Sequence, residues 1–137
     1  MLKAIRNFFG MGLLYAILSM LILNLNSGSD AIPYAAIETA FSSGDATKIV
    51  SYGKDRIILN VVDKEGAYSQ SQAAQVLKEF FTKKPGSFKF TFKGKETDDG
   101  AFAIGTYTSK SESFRVTIKW KKAGSEFKIE SIAIEKA

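Results

Sequence analysis

Apolar side chains first recur at helical spacing, every three or four residues, in the segment that follows residue 31. Pro33 suits the first turn of this helix after a cap at Ser29 or Asp30, and the Ser-Ser-Gly sequence at 42–44 is expected to end it. Asp45 can cap a second, short helix. Two helices therefore open the predicted domain, and the apolar stripe of the first contains Ile32, Ala36, Ile37, Ala40 and Phe41.

A third helix is predicted by its start signal, its apolar stripe and its end. Ser69 and Gln72 form the S-x-x-Q capping box, in which each side chain satisfies the backbone N–H of the other. The helix is expected to end at the Lys-Lys-Pro-Gly sequence of residues 83–86, because cations suit the negative end of the helix dipole. Its apolar stripe consists of Ala73, Val76, Leu77, Phe80 and Phe81.

Strands are predicted on both sides of the third helix. Arg56–Val62 is rich in β-branched residues, and we interpret it as a strand buried on much of both faces. After Gly86 the apolar period changes to two and stays there. Short polar loops separate the strands of this second region, which favours antiparallel hairpins and a meander. These four strands are Phe88–Lys93, Ala101–Thr108, Phe114–Lys121 and Phe127–Glu135.

The alternation of side chains assigns the faces of these strands. Within SFKFTFK, residues 87–93, the three phenylalanines are expected on one face and the lysines on the other, so rings and cations would not serve one ligand together. The rings therefore predict one wall of a core. The same alternation places Phe114, Val116, Ile118 and Trp120 on the core face.

The last strand changes its parity. Phe127 and Ile129 occupy odd positions, whereas Ile132 and Ile134 occupy even ones. A β-bulge near Glu130 would restore a single core face and bend the sheet, unless the two pairs face different layers. Helices packed on the apolar face of a strongly curved antiparallel sheet give an α+β fold in the form of a cone.

The amino-acid composition excludes several kinds of catalytic and metal-binding site. The chain has 137 residues, of which 45% are hydrophobic, and this size suits one modest domain. It contains neither cysteine nor histidine, which excludes disulfides, thiol nucleophiles, Cys-based zinc sites and the Ser-His-Asp triad. Residues 96–100 gather three acids but lack the spacing of a calcium loop, so we expect a hairpin turn, no metal and no cofactor.

The N-terminal segment has the pattern of a secretion signal or a membrane anchor. Lys3 and Arg6 precede an apolar run at 11–25, as in a secretory signal, and the run is also nearly long enough to span a membrane. We therefore divide the chain into a signal peptide or N-terminal membrane anchor at 1–29 and a domain at 30–137. The domain is expected to be periplasmic or extracellular, with membrane contact only through an uncleaved N-terminal segment.

The order of these elements resembles that of the nuclear transport factor 2-like superfamily, which shares its curved-sheet cone with cystatin-like proteins. IETAFSSGDATKIVSYGKDRI at 37–57 is similar to the opening helices of that superfamily. YSQSQAAQVLKEFFTKKPGSFKFTFKG at 68–94 is similar to domain-of-unknown-function family 4783, which consists of small exported bacterial proteins. The resemblance covers nearly everything after Pro33. It implies a fold and a homodimer through the sheet, but no reaction.

Two surfaces are candidate sites. Enzymes of the resembled superfamily work inside the cone, and Asp55 with a tyrosine would be the base and donor of a histidine-free isomerase or dehydratase. The alternative, which we favour, is that these residues have a structural role. The tyrosines would then lie at the edge of the core, and Asp55 would start a strand or cap a turn. The residues of this pocket would be Tyr34, Tyr52, Asp55, Tyr68, Tyr107 and Trp120.

The second candidate is the lysine-rich sheet face. It would be solvated, a dimer surface or a patch that binds an anionic envelope polymer, and the solvated face is the simplest interpretation. Its members are Lys89, Lys93, Arg115, Lys119, Lys121 and Lys128. We predict a non-catalytic module of the cell envelope that holds an unknown small ligand or envelope protein, and that does not bind nucleic acid. The alternatives are the Asp/Tyr enzyme and the weak polymer binder.

Overall fold

The computed structural model of the chain describes residues 32–137. The predicted signal or anchor at 1–29 and the candidate caps Ser29 and Asp30 lie outside these residues. No helix in this described part is both long and apolar enough to cross a membrane. The elements are α1 (Tyr34–Ser43), α2 (Ala46–Ser51), β1 (Gly53–Val61), β2 (Lys64–Ser69), α3 (Gln70–Lys83), β3 (Ser87–Lys93), β4 (Ala101–Ser109), β5 (Glu112–Ala123) and β6 (Glu126–Lys136).

The helices begin and end close to their sequence signals. Pro33 occupies the N-cap of α1 rather than its first turn, and Gly44 ends α1 in the left-handed conformation with φ 69°. Asp45 caps α2, because its carboxylate accepts the backbone N–H of Lys48 at 3.1 Å. The capping box at the start of α3 is confirmed in both directions. Local side-chain chemistry therefore fixes where α2 and α3 start, whereas the N-cap of α1 makes no side-chain hydrogen bond.

The six strands form one sheet in the order β2-β1-β6-β5-β4-β3. The predicted meander from β3 to β6 is confirmed, and every pairing within it is antiparallel. The last strand of the meander arrives beside β1 and runs parallel to it, so the sheet is mixed rather than purely antiparallel. The α+β class is confirmed, and the sheet is curved without closing, since β2 and β3 remain its edges.

The hairpin of β1 and β2 was not predicted. Val62 and Asp63 connect the two strands with φ values of 46° and 71°, as a two-residue primed turn requires. The prediction that β1 is buried on both faces was wrong. Ile57 and Leu59 are fully buried, but Ile58 between them is 44% exposed, because helices cover only one face of the sheet.

Two bulges set the register of the sheet. The predicted bulge in β6 is confirmed, because Lys119 pairs with Ser131 while Trp120 pairs with Ile129, which leaves Glu130 as the extra residue. A second bulge lies in β3, where Phe90 pairs with Gly105 and Phe92 with Ile104. This second bulge was missed, and it reverses the faces of the residues that follow it.

The three helices cover one face of the sheet, which we call the helix face, and the opposite one is the outer face. α1 packs against β3 and α3 against β1. The space between the layers is filled largely by aromatic rings. Phe41 is an example, since its ring centroid lies 4.7 Å from that of Phe88 and 5.7 Å from that of Phe81. The larger buried rings of this core are Phe41, Phe80, Phe81, Phe88, Tyr107, Phe114 and Trp120.

Candidate functional site

The six predicted pocket residues do not meet at one site. Tyr107 is buried in the core, and its hydroxyl donates a hydrogen bond to the backbone carbonyl of Lys84 at 2.6 Å. Burial raises the pKa of Tyr107 above its ordinary value. Asp55 is exposed on β1, and no hydrogen bond joins it to a tyrosine hydroxyl within residues 32–137. The described chain therefore does not assemble the carboxylate and hydroxyl that the isomerase-like alternative requires.

Tyr34 and Trp120 are the two predicted pocket residues that do touch. Their ring centroids lie 5.6 Å apart, edge to face, and Phe90 approaches Tyr34 from another side at 5.1 Å. The ammonium of Lys93 lies 4.8 Å from the centre of the Tyr34 ring. Burial, and secondarily the negative charge of Glu96, raise the pKa of Tyr34. Its hydroxyl is therefore protonated at neutral pH and cannot serve as a base there.

Tyr52 and Tyr68 lie in separate places. The ammonium of Lys48 lies 5.7 Å from the centre of the Tyr52 ring, and the Tyr52 carbonyl accepts the backbone N–H of Ile129 at 2.9 Å. Tyr68 stands on β2 and lines a groove that the sequence did not predict. This groove is the strongest candidate for a ligand site among residues 32–137.

The groove, which we call the hairpin groove, has a volume of about 550 Å³. It lies between α3, the β1–β2 hairpin and residues of β5 and β6. Its volume falls within the range that is typical of small-molecule sites. Its floor is apolar, while most of its rim consists of charged side chains. The lining residues are Val61, Val62, Lys64, Tyr68, Val76, Glu79, Phe80, Lys83, Lys84, Phe114 and Lys136.

Four lysines give the rim an excess of positive charge. Lys84 and Lys136 share the carboxylate of Glu112, with Lys136 Nζ 3.5 Å from a Glu112 oxygen. The hydrogen bond from Lys84 lowers the pKa of Glu112, so that carboxylate is ionised at neutral pH. Lys83 pairs with Glu79 at 3.3 Å. Lys64 forms no ion pair with any acid between residues 32 and 137, so the rim keeps one unpaired cation for a ligand.

A second pocket of about 490 Å³ lies between α2 and the start of α3. Its polar wall is partly occupied already, because the Gln70 amide donates to the carbonyls of Gly53 and Lys54 at 3.0 and 3.3 Å. Within the described chain, no cluster of three or more acidic side chains is arranged to hold a metal ion. The second pocket thus offers fewer free polar groups to a ligand than the hairpin groove does.

Five of the six predicted lysine-face residues lie on the outer face. Lys119 and Lys121 alternate with core residues of β5, and Lys121 pairs with Lys128 across to β6. Lys93 is the correction: the bulge in β3 turns it to the helix face, where it lies over Tyr34. Two cations of this face are neutralised in part, because Arg115 lies 3.7 Å from Glu135 and Lys128 lies 3.4 Å from Glu126.

The hairpin groove was missed because β2 lacks the pattern of a strand. Its sequence, KEGAYS, contains no β-branched residue, and its one large side chain with an apolar ring is that of Tyr68. The signal that could have revealed it is the Val-Val-Asp-Lys sequence at 61–64, a turn after a strand, followed by Tyr68 on the same parity as Lys64. That parity brings an aromatic ring and a cation to one side of the hairpin.

Comparison with known proteins identifies relatives over most of the chain. The family model "Domain of unknown function (DUF4783)" matches residues 34–135. A crystal structure of a DUF4783 family protein from Bacteroides ovatus is 30% identical, with a TM-score of 0.72, over 80% of this chain and 98% of that one. One from Bacteroides uniformis is 26% identical, with a TM-score of 0.71, over 78% and 98% of the two chains.

More distant structures share the fold alone. A protein of unknown function with a cystatin-like fold from Nostoc punctiforme is 12% identical, with a TM-score of 0.61. It matches 75% of this chain and 84% of its own length. No curated protein matches the chain. The comparisons thus establish a family and a cystatin-like fold, and they assign no activity.

Proposed function

The chain belongs to the family described as Domain of unknown function (DUF4783), and on that premise we propose that it is a non-catalytic binding module that holds a small amphipathic anion in the hairpin groove. The observation that carries the proposal is the contrast between the apolar floor and the lysine rim of this groove. An alkyl chain would cover Val76, Tyr68 and Phe80, and an anionic head would remain among the lysines.

The energetics favour this kind of ligand. Each square ångström of apolar surface removed from water contributes about 25 cal/mol, so an alkyl chain gains affinity from the floor in proportion to its length. A carboxylate or phosphate head gains from charge-assisted hydrogen bonds with ammonium groups. Lys64 at the hairpin is free for such a bond within the described chain, whereas Lys84 and Lys136 would share it with Glu112.

A binding role agrees better with the side chains than a catalytic one does. The most deeply buried hydroxyl of the predicted pocket, that of Tyr107, already donates to the Lys84 carbonyl, and Asp55 faces solvent. The groove itself is lined by one carboxylate, Glu79, which is paired with Lys83. In line with the N-terminal sequence, we place this binding role outside the cytoplasm, in the cell envelope.

The test compares two probes with the same tail and opposite heads. Dodecanoate and dodecyltrimethylammonium, each below its micelle concentration, are titrated into the folded domain by calorimetry. We expect saturable binding of dodecanoate and weaker binding of the cation, because the rim carries more lysines than acids.

A pair of variants on one helix locates the site. Val76→Glu places a carboxylate on the floor of the groove and should weaken dodecanoate binding by about ten-fold or more. Gln75→Glu adds the same charge one residue away, at the other pocket, and should leave binding unchanged. Equal losses in both variants, or tighter binding of the cationic probe, would contradict the proposal.

A further inference from the structure

The bulge in β3 creates a surface that the sequence alternation did not predict. It turns Phe92 out of the core to the outer face, where its ring packs against that of Phe102 with centroids 5.6 Å apart. Phe92 is 51% exposed and Phe102 is 41% exposed. Two adjoining, half-exposed rings on a sheet face form an apolar patch of the kind that marks an interaction site.

Cations surround this ring pair. Phe102 is directly opposite Lys119 in the pairing of β4 and β5, so the lysine stem lies next to the ring. Lys121 follows two residues later on the same face, and Lys89 lies on β3 before the bulge, opposite Thr106. Across residues 32–137, these three lysines have no acid within 4 Å. We call the ring pair and these lysines the basic aromatic face.

We propose that the basic aromatic face binds an acidic glycan chain. This surface lies on the opposite side of the sheet from the helices, so the proposal goes beyond the ligand of the hairpin groove. The C–H groups on one side of a sugar ring form an apolar patch that fits the negative face of an aromatic ring. The carboxylates of the same chain would accept hydrogen bonds from Lys89, Lys119 and Lys121.

Hydroxyl groups on the same face of the sheet support a glycan in particular. Thr106 and Thr117 lie on the outer face, half-buried, and Thr108 is exposed there. Each threonine hydroxyl can donate and accept, as a polyhydroxylated ligand requires. The face is therefore apolar, cationic and hydroxyl-bearing within one stretch of β3, β4 and β5.

Two other occupants fit less well. Single-stranded nucleic acid needs separate aromatic platforms for successive bases, whereas Phe92 and Phe102 pack against each other. A second copy of this chain would bring one cation-rich face against another, and the repulsion between like charges opposes such an interface. An acidic partner with an apolar side would cover the exposed rings and pair with the lysines that have no acidic partner.

The test measures binding of alginate oligosaccharides, which are polyuronates, to the folded domain, with a poly-dT oligonucleotide and poly-L-glutamate as competing polyanions. The double variant Lys119→Gln/Lys121→Gln should weaken alginate binding by about ten-fold or more. The double variant Lys48→Gln/Lys78→Gln removes the same charge from two helices and should leave it unchanged. Phe92→Ser/Phe102→Ser should weaken alginate binding while preserving its dependence on salt.

Several outcomes would overturn the inference. Equal losses in the two lysine double variants would show attraction by net charge alone. Tighter binding of poly-dT or poly-L-glutamate than of alginate would assign the face to another class of polymer. A dimer in sedimentation that Phe92→Ser/Phe102→Ser dissociates would assign it to a second copy of the chain.

Discussion

At the scale of single residues, Asn60 stands out because its side-chain oxygen Oδ1 is buried without a hydrogen-bond partner, the one such atom within residues 32–137. Asn60 lies on β1 between the neighbouring strands β2 and β6. An unsatisfied buried acceptor costs free energy that a satisfied or apolar side chain would not. Asparagine is also a poor strand residue, whereas valine is a good one.

We therefore expect Asn60→Val to stabilise the protein by about 1 kcal/mol. Thermal or urea unfolding of the domain measures the change. Thr117→Val is the matched control, because it replaces a hydroxyl by a methyl group at another half-buried position of the outer face, and the oxygen that it removes is not a buried unpaired one. A less stable Asn60→Val variant would show that Oδ1 is satisfied in solution.

At the scale of elements, α1 covers the edge of β3 with two side chains. Ser42 Oγ accepts the backbone N–H of Phe88 at 2.9 Å and donates to the carbonyl of the same residue at 3.2 Å. Glu38, one helical turn earlier, accepts the backbone N–H of Phe90 at 2.9 Å. One turn of helix and two residues of strand have similar lengths, so the helix follows the edge.

Loss of this cover should be measurable. Ser42→Ala removes the partner of two backbone groups of Phe88, and we expect the free energy of unfolding to fall by about 1 to 2 kcal/mol. Ser43→Ala is the control, because the Ser43 hydroxyl donates only within its own helix, to the Ala40 carbonyl. Faster amide exchange at Phe88 in Ser42→Ala alone would locate the effect, whereas equal destabilisation in both variants would count against edge cover.

The two bulges show which parts of an element the sequence can predict. The bulge at Glu130 was predicted because apolar residues change parity across it, from Ile129 to Ile132. The bulge in β3 was missed because Phe88, Phe90 and Phe92 keep one parity through it. In the first case the core selects the apolar residues on both sides, and in the second case Phe92 is outside the core. Alternation therefore predicts a bulge only where both flanks are buried.

At the scale of the whole molecule, the candidate site depends on a pairing that no local pattern specifies. The helices, the caps of α2 and α3 and the meander follow from spacing and turns, and they were predicted. The parallel pairing of β1 with β6 joins residues about 70 positions apart, and it brings Val61 beside Ile134. That pairing sets the β1–β2 hairpin near the end of β6, where Lys136 completes the hairpin groove.

The most direct test of the binding account is residue-resolved NMR of the isotope-labelled protein during titration with dodecanoate. Saturable shifts should occur together at the amides of Lys64, Tyr68, Val76 and Phe80, which lie on the two walls of the hairpin groove. Shifts confined to Tyr34 and Trp120, or no saturable shift at any amide, would contradict the claim that this groove is the ligand site.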